Sequence, residues 1–262
     1  VLIAVAVCCC AQQGTHVAGI IGARNTGAGV VGVAPGVPLF SLKVLDGSGK
    51  GALSNVLAAV SWVVSHGKAQ GIKVLNLSLA AFVDPSSEDY ADTLNTMCSV
   101  FKEASDAGVL VIAAAGNYGS DVQGFIPAAC PTVAVVTAVD SAGSSPASFS
   151  NFLAATASDA DKARVIAAPG VNIMSTTPYA RDASGYKQMS GTSQASPHVA
   201  GIAATCMMSG ACDSSSTGVQ HLATLQAAAQ ERYSKTPTYN FSGDATSTAR
   251  NKYYGYMAYA KY

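Results

Sequence analysis

Apolar runs alternate along this chain with segments whose apolar residues recur at helical spacing, and that alternation restricts the fold more than any other feature. Leu39–Leu45 reads as a buried strand. Leu53, Val56, Leu57, Val60, Val63 and Val64 then fall on one face of a helix over 53–66. A strand at 72–79, a helix of roughly 88–107 and strands at 109–115 and 132–139 follow. Strands apolar on both faces need helices on both sides of the sheet, and helical crossovers make successive strands parallel. The fold class this implies is α/β, three layers, α/β/α, around a mostly parallel central sheet.

In such sheets ligands bind beyond the carboxyl ends of the strands, so polar residues there carry the functional information. Residues 189–201 stand out. Ser190, Gly191 and Thr192 precede Ser193, and Pro197 leads into the apolar run Val199, Ala200, Ile202, Ala203, Ala204. The pattern describes a tight turn opening into a buried helix with Ser193 at its N-terminus. Unpaired N–H groups and partial positive charge at that end suit a nucleophile whose attack creates an oxyanion. Gly-x-Ser alone says little, because serine is also a common helix cap.

The full phrase Gly191-Thr192-Ser193-Gln194-Ala195-Ser196-Pro197-His198-Val199-Ala200-Gly201 is more specific. It resembles the serine motif of the subtilisin-like serine proteases, the subtilases, with Gln194 where that family usually has methionine. Gln13-Gly14-Thr15-His16-Val17-Ala18-Gly19 resembles the family's histidine motif, in which the first position is the general base. Here that position is Gln13, whose amide cannot accept a proton near neutral pH. His16, three residues along a helix, points elsewhere, and the resemblance makes it structural. The family's aspartate, at a strand end some thirty residues before the base, has no counterpart, since Asp46 is the first acidic residue, and the resemblance implies that the N-terminal strand region carrying it is lacking.

Further likeness runs almost continuously from Gln13 to Gly201. The segment containing Ser78, Leu79 and Ala80 resembles one wall of the pocket for the side chain before the cut bond, with Ala80 in place of a usual glycine. Ala113-Ala114-Ala115-Gly116-Asn117 resembles the opposite wall, with Ala115 and Gly116 in it and Asn117 as the oxyanion-hole asparagine. A loop around Gly49 would border the bound peptide. The closing residues Tyr253 to Ala258 resemble the family's Tyr-Gly turn and terminal helix. His198, about 140° round the helix from Ser193, reads as a packed core histidine, and His66 and His221 read as surface residues.

Residues 1–11 are too few to span a bilayer, which needs roughly 20. They read either as the h-region of a signal peptide or as a buried strand, the strand being preferred because the histidine-type motif follows so closely. The organisation this implies is an apolar N-terminal remnant at 1–12 before a peptidase domain at 13–262. The loop at 24–35 resembles a calcium-binding loop but contains no carboxylate. A connecting loop without a cofactor is the expectation, with Ca²⁺ as the alternative.

Zero formal net charge, with 15 basic and 15 acidic residues, argues against nucleic acid or an anionic membrane as partner. Of seven cysteines, Cys98, Cys130, Cys206 and Cys212 suit two bridges in an oxidising compartment, buried free thiols being the other reading. No Cys-x-x-Cys or paired histidine spacing supports zinc. The resemblance thus implies a secreted, monomeric serine endopeptidase domain acting on peptide or protein, with little or no turnover because the base and its aspartate are missing. A peptide-binding pseudoenzyme, or an incomplete copy of an active protease that lost its N-terminal end, are the alternatives.

Overall fold

The computed structural model describes residues 1–8, 11–236, 241 and 251–261. Its centre is a seven-stranded sheet in which all described pairings are parallel. In chain order the sheet strands are β1 (Leu2–Cys8), β2 (Leu39–Leu45), β3 (Ile72–Leu77), β4 (Leu110–Ala114), β5 (Ala134–Val139) and β6 (Val165–Pro169). After the hairpin β7 (Ile173–Thr176) and β8 (Tyr186–Met189) comes the last sheet strand, β9 (Tyr256–Met257). Across the sheet the order is β9-β6-β5-β4-β3-β1-β2. The initial apolar run is therefore an interior strand, hydrogen-bonded to β2 on one side and β3 on the other. The boundary expected at residue 12 does not separate two structural units.

Five long helices cover this sheet: α1 (Ala11–Gly22), α2 (Leu53–Gln70), α3 (Tyr90–Asp106), α4 (Thr192–Met208) and α5 (Gly218–Lys235). Alternation along each strand sorts residues between two cores. Ile3, Val5, Leu110, Ile112 and Val136 pack with Val17 and Ile21 of α1 and the alanine-rich face of α4. Ala4, Val111 and Ala113 face the other way, against Val56, Val60 and Val63 of α2 and Phe101 and Ala104 of α3. Small residues let α4 lie close to the loop between α1 and β2: a Cβ on Gly201 would come within 2.6 Å of Val33. None of these helices is long and apolar enough to cross a membrane, as judged among the described residues.

Four sequence expectations need correction. β2 is an edge strand with alternating exposure, because nothing pairs its outer side among the described residues. Strand β3 stops at Leu77, where Asn76 and Ser78 turn to polar partners. The Tyr253–Ala258 region forms strands and no terminal helix: Lys252–Tyr253 pairs with Leu153–Ala154, and β9 extends the sheet beside β6. His221 is buried, at 1% exposure, with no hydrogen bond to either ring nitrogen among the described residues.

Among the described residues there are two disulfides. Cys98–Cys130 ties α3 to the segment before β5. Cys206–Cys212 staples the end of α4 to the turn beyond it.

Candidate active site

The chain first passes from β1 to β2 on one side, then returns through α2 to β3 on the other side of β1. That reversal leaves a crevice beyond the carboxyl ends of β1 and β3, where an open parallel sheet can receive a ligand. Gln13 in the first turn of α1, Ser78 just past β3, and Ser193 in the first turn of α4 all reach it.

Ser193 is placed by a proline. Pro197 lies inside α4 and has no N–H, so the carbonyl of Ser193 four residues earlier loses its helical partner. The Ser78 hydroxyl donates to that carbonyl at 3.0 Å instead. Ser78 Oγ in turn accepts from Asn76 Nδ2 at 3.0 Å, and Ser196 Oγ donates to Asn76 Oδ1 at 2.6 Å. Asn76 and Ser196 are fully buried, and every polar atom in this circuit has a partner. Such networks rigidify what they hold. Here they lock the Ser193 backbone to the strand end that forms one side of the crevice.

Asn117 is held with equal care. Its Oδ1 accepts from the Thr192 N–H at 2.8 Å and from Thr192 Oγ1 at 2.9 Å, while Thr192 Oγ1 accepts from the Gly116 N–H at 3.1 Å. With the carbonyl end of the amide doubly held, its NH₂ end is left to donate outward. Gly116 has φ +106, and a Cβ there would strike Asn151 Nδ2 at 2.3 Å, so glycine is required. Asn151 fixes the same loop, accepting from the N–H groups of Tyr118 and Ser120 and donating to the Ala115 carbonyl. The N–H of Ser193, in the first turn of α4, has no intrahelical partner. Together the Asn117 amide and this N–H form a donor pair suited to a developing oxyanion.

The other half of the chemistry is different. Ser193 Oγ donates to the Ser78 carbonyl at 3.2 Å, and Gln13 Nε2 donates to the same oxygen at 3.2 Å. His16 is fully buried, its Nε2 shared between the carbonyls of Ile173 and Lys187 at 3.1 and 2.9 Å. Burial lowers its pKa, partly offset by those two bonds. It anchors α1 to the β7–β8 hairpin, helped by Ser175 Oγ donating to its own carbonyl. His198 Nδ1 donates to the Gln194 carbonyl at 2.9 Å, and burial lowers its pKa too. The strand preceding α1 ends at Cys8, and the chain reaches Gln13 through Cys9, Cys10, Ala11 and Gln12. No acidic residue lies in that passage.

A cleft of about 510 Å³ opens at this point, lined by Gln13, Ser193, Ser78, Leu79, Ala80 and Ala81, with Gly49 to Leu53 on the far rim. Asp46 shapes that rim by accepting from the N–H groups of Ser48 and Lys50 and from Ser48 Oγ, bonds that hold its carboxyl below the usual range. Thus the structure brings Gln13, Gly49, Ser78, Leu79, Ala80 and Ser193 to one cleft, while Ala115 and Gly116 are buried behind Asn117. The roles of Thr192, Asn76, Ser196 and Asn151 were not read from the sequence, although Pro197 signals an orphaned Ser193 carbonyl in need of a donor. The loop at 24–35 does not fit a calcium ion: it has no carboxylate, and Asn25 Oδ1 is used by the Gly27 N–H.

Comparison with known proteins agrees with the geometry. Residues 12–256 match the Subtilase family, Peptidase_S8. A thermostable alkaline protease of Halalkalibacterium halodurans is 38% identical over 192 residues, covering 73% of this chain and 46% of the relative. Subtilisin BL of Lederbergia lenta is 39% identical over 192 residues, covering 73% and 61%. The chain spans about half the length of the curated relatives it matches. Among solved structures, a cold adapted subtilisin-like serine proteinase superposes with a TM-score of 0.71 at 26% identity, covering 100% of this chain and 89% of that one.

Proposed function

We propose, since the chain belongs to the subtilase family, that it is a serine endopeptidase domain in which peptide binding and oxyanion stabilisation persist while turnover is severely impaired. Ser193 would attack the scissile carbonyl, with Asn117 and the Ser193 N–H holding the tetrahedral oxyanion. The observation that carries the reading is the shared use of the Ser78 carbonyl: Ser193 Oγ and Gln13 Nε2 both donate to it. A hydroxyl with no acceptor that can keep its proton is a poor nucleophile at neutral pH. In subtilisin, removing the histidine costs roughly 2 × 10⁶ in kcat, and what survives is roughly 10³–10⁴ over water.

A second reading, a pseudoprotease that holds peptide without cutting it, is favoured by the open cleft between Ser78–Ala81 and Gly49–Leu53. An extended peptide could add to these segments through its main chain. Both readings take a peptide or protein partner and need no cofactor. The two disulfides support a secreted domain working in an oxidising compartment, and the reading takes it as a monomer. Incubation with a chromogenic peptide and, separately, with a labelled uncleaved peptide tests them. Slow turnover above that of a Ser193→Ala variant supports the impaired endopeptidase, and binding with identical background rates supports the pseudoprotease. Failure to bind peptide at all removes both.

A further inference from the structure

Ser78–Ala80 and Ala115–Asn117, by resemblance the two walls of one pocket, run on into a single aromatic cluster. Just beyond the first wall, Phe82 pairs in antiparallel register with Phe125, their rings edge to face at 5.6 Å between centroids. Just beyond the second wall, Tyr118 stacks on the same Phe125 ring at 5.1 Å and 14°. Phe125 is 4% exposed, whereas Phe82 and Tyr118 are 68% and 71% exposed. One buried ring thus bridges the continuations of both walls, with two aromatic faces turned to solvent above it.

The bridge is held from both sides. Val83 N–H donates to the Gly124 carbonyl at 2.8 Å, and Tyr118 N–H donates to Asn151 Oδ1 at 2.9 Å. The Phe82 ring lies over Gly124, close enough that a Cβ there would meet it at 3.4 Å, in ordinary contact. The cleft of about 510 Å³ lies on the other side of Ser78–Ala81, toward Gly49–Leu53, and no residue of 115–117 lines it.

From this geometry we propose that the Phe82–Phe125–Tyr118 stack closes the pocket for the side chain preceding the cut bond, so that this protein selects glycine or alanine there. The inference rests on the peptide-binding reading above. A large side chain at that position meets a flat aromatic surface in place of a hole, so it stays in water and gains little burial. It also lifts the neighbouring main chain from Asn117 and Ser193. Steric selection of this kind is worth roughly 10- to 200-fold for each group that does not fit.

The test uses the full chain and fluorescein-labelled hexapeptides Ala-Leu-Ala-X-Ala-Ala, with anisotropy reporting Kd. For the unmodified protein, X = Ala is expected to bind about 10-fold or more tighter than X = Phe. A Phe125→Ala variant, with Tyr118→Ala as a surface variant that leaves the buried ring in place, should shrink that ratio, Phe125→Ala by the larger amount. Equal or tighter binding of X = Phe by the unmodified protein overturns the inference without touching the peptide-binding reading, and needs no variant to fold. Binding of neither peptide overturns the peptide-binding reading, and the inference falls with it.

Discussion

Two sides of one cleft meet at the Ser78 carbonyl, and they differ in what they retain. On the α4 side, Ser193 is fixed through Pro197, Ser78, Asn76 and Ser196, and Asn117 is fixed through Thr192. On the α1 side, the residue that reaches the same carbonyl is an amide, and the strand leading to it carries no acid. The difference shows that the two halves are built separately. The α4 half is fastened to β3 and β4 by its own buried hydrogen bonds, so it keeps its shape whatever occupies position 13.

The comparison is sharpened most by removing the Asn117 amide, the proposed oxyanion donor. In a Gln13→His background, Asn117→Ala should lower kcat about 10²- to 10³-fold on a chromogenic peptide, the range seen for the equivalent donor in subtilisin. An unchanged rate would mean the retained half contributes nothing. Breaking the disulfides comes next, read by denaturant unfolding. Losing Cys98–Cys130, which closes 32 residues, should cost about 4 kcal/mol, against about 2 kcal/mol for Cys206–Cys212, which closes 6. Equal losses would break the chain-entropy account of both.

Beneath Ser193, Asn76→Ala leaves the Ser196 and Ser78 hydroxyls short of a buried partner and should destabilise the fold by about 1–3 kcal/mol in the same measurement. Substitution of Gln13 by Ala, on the other side, should change stability far less, since Gln13 is half-buried and makes one bond to a carbonyl. The smallest effect is pH-dependent. His221 is buried beside Lys73 and Asp213, and burial holds its pKa below 6.5 in the folded state. The unfolded chain then binds the proton first, so stability present above about pH 6.5 is lost as pH falls toward the folded pKa. The slope is at most about 1.4 kcal/mol per pH unit from this residue. Thermal midpoints between pH 7 and 5 should fall less steeply for His221→Leu than for the unmodified protein.

Much of this was legible in the sequence because it depends on local pattern. Apolar runs at Leu39–Leu45 and 109–115, and the helical spacing from Leu53 to Val64, specify a covered parallel sheet whichever way its strands are ordered. Ser193 and Gln13 could be placed at helix starts from their own neighbours. What local pattern does not carry is the order of strands. The lack of any acid before Asp46 does not say which strand end would carry one; β1 lies between β2 and β3 and ends at Cys8, shortly before α1. The place to look for an acid is therefore the β1–α1 passage at Cys8 to Gln12. Long-range side-chain bonds were equally hidden: Ser78 to Ser193 spans 115 positions. His221 looked exposed because its burial depends on packing from outside its own helix.

The account's central claim is that Ser193 sits in an intact cradle and lacks only a proton acceptor. Its most direct test is the rate at which a fluorophosphonate labels Ser193, followed from pH 5 to 9 in the unmodified chain and in Gln13→His. The unmodified chain should label slowly with no inflection near neutrality. Gln13→His, still without a carboxylate, should label about 10²-fold faster, given the subtilisin losses of roughly 2 × 10⁶ without histidine and 3 × 10⁴ without aspartate. Its rate should rise through an apparent pKa near 6.5. Fast labelling of the unmodified chain with an inflection near neutral pH would contradict the claim, since a base would then be at work that the cleft does not contain.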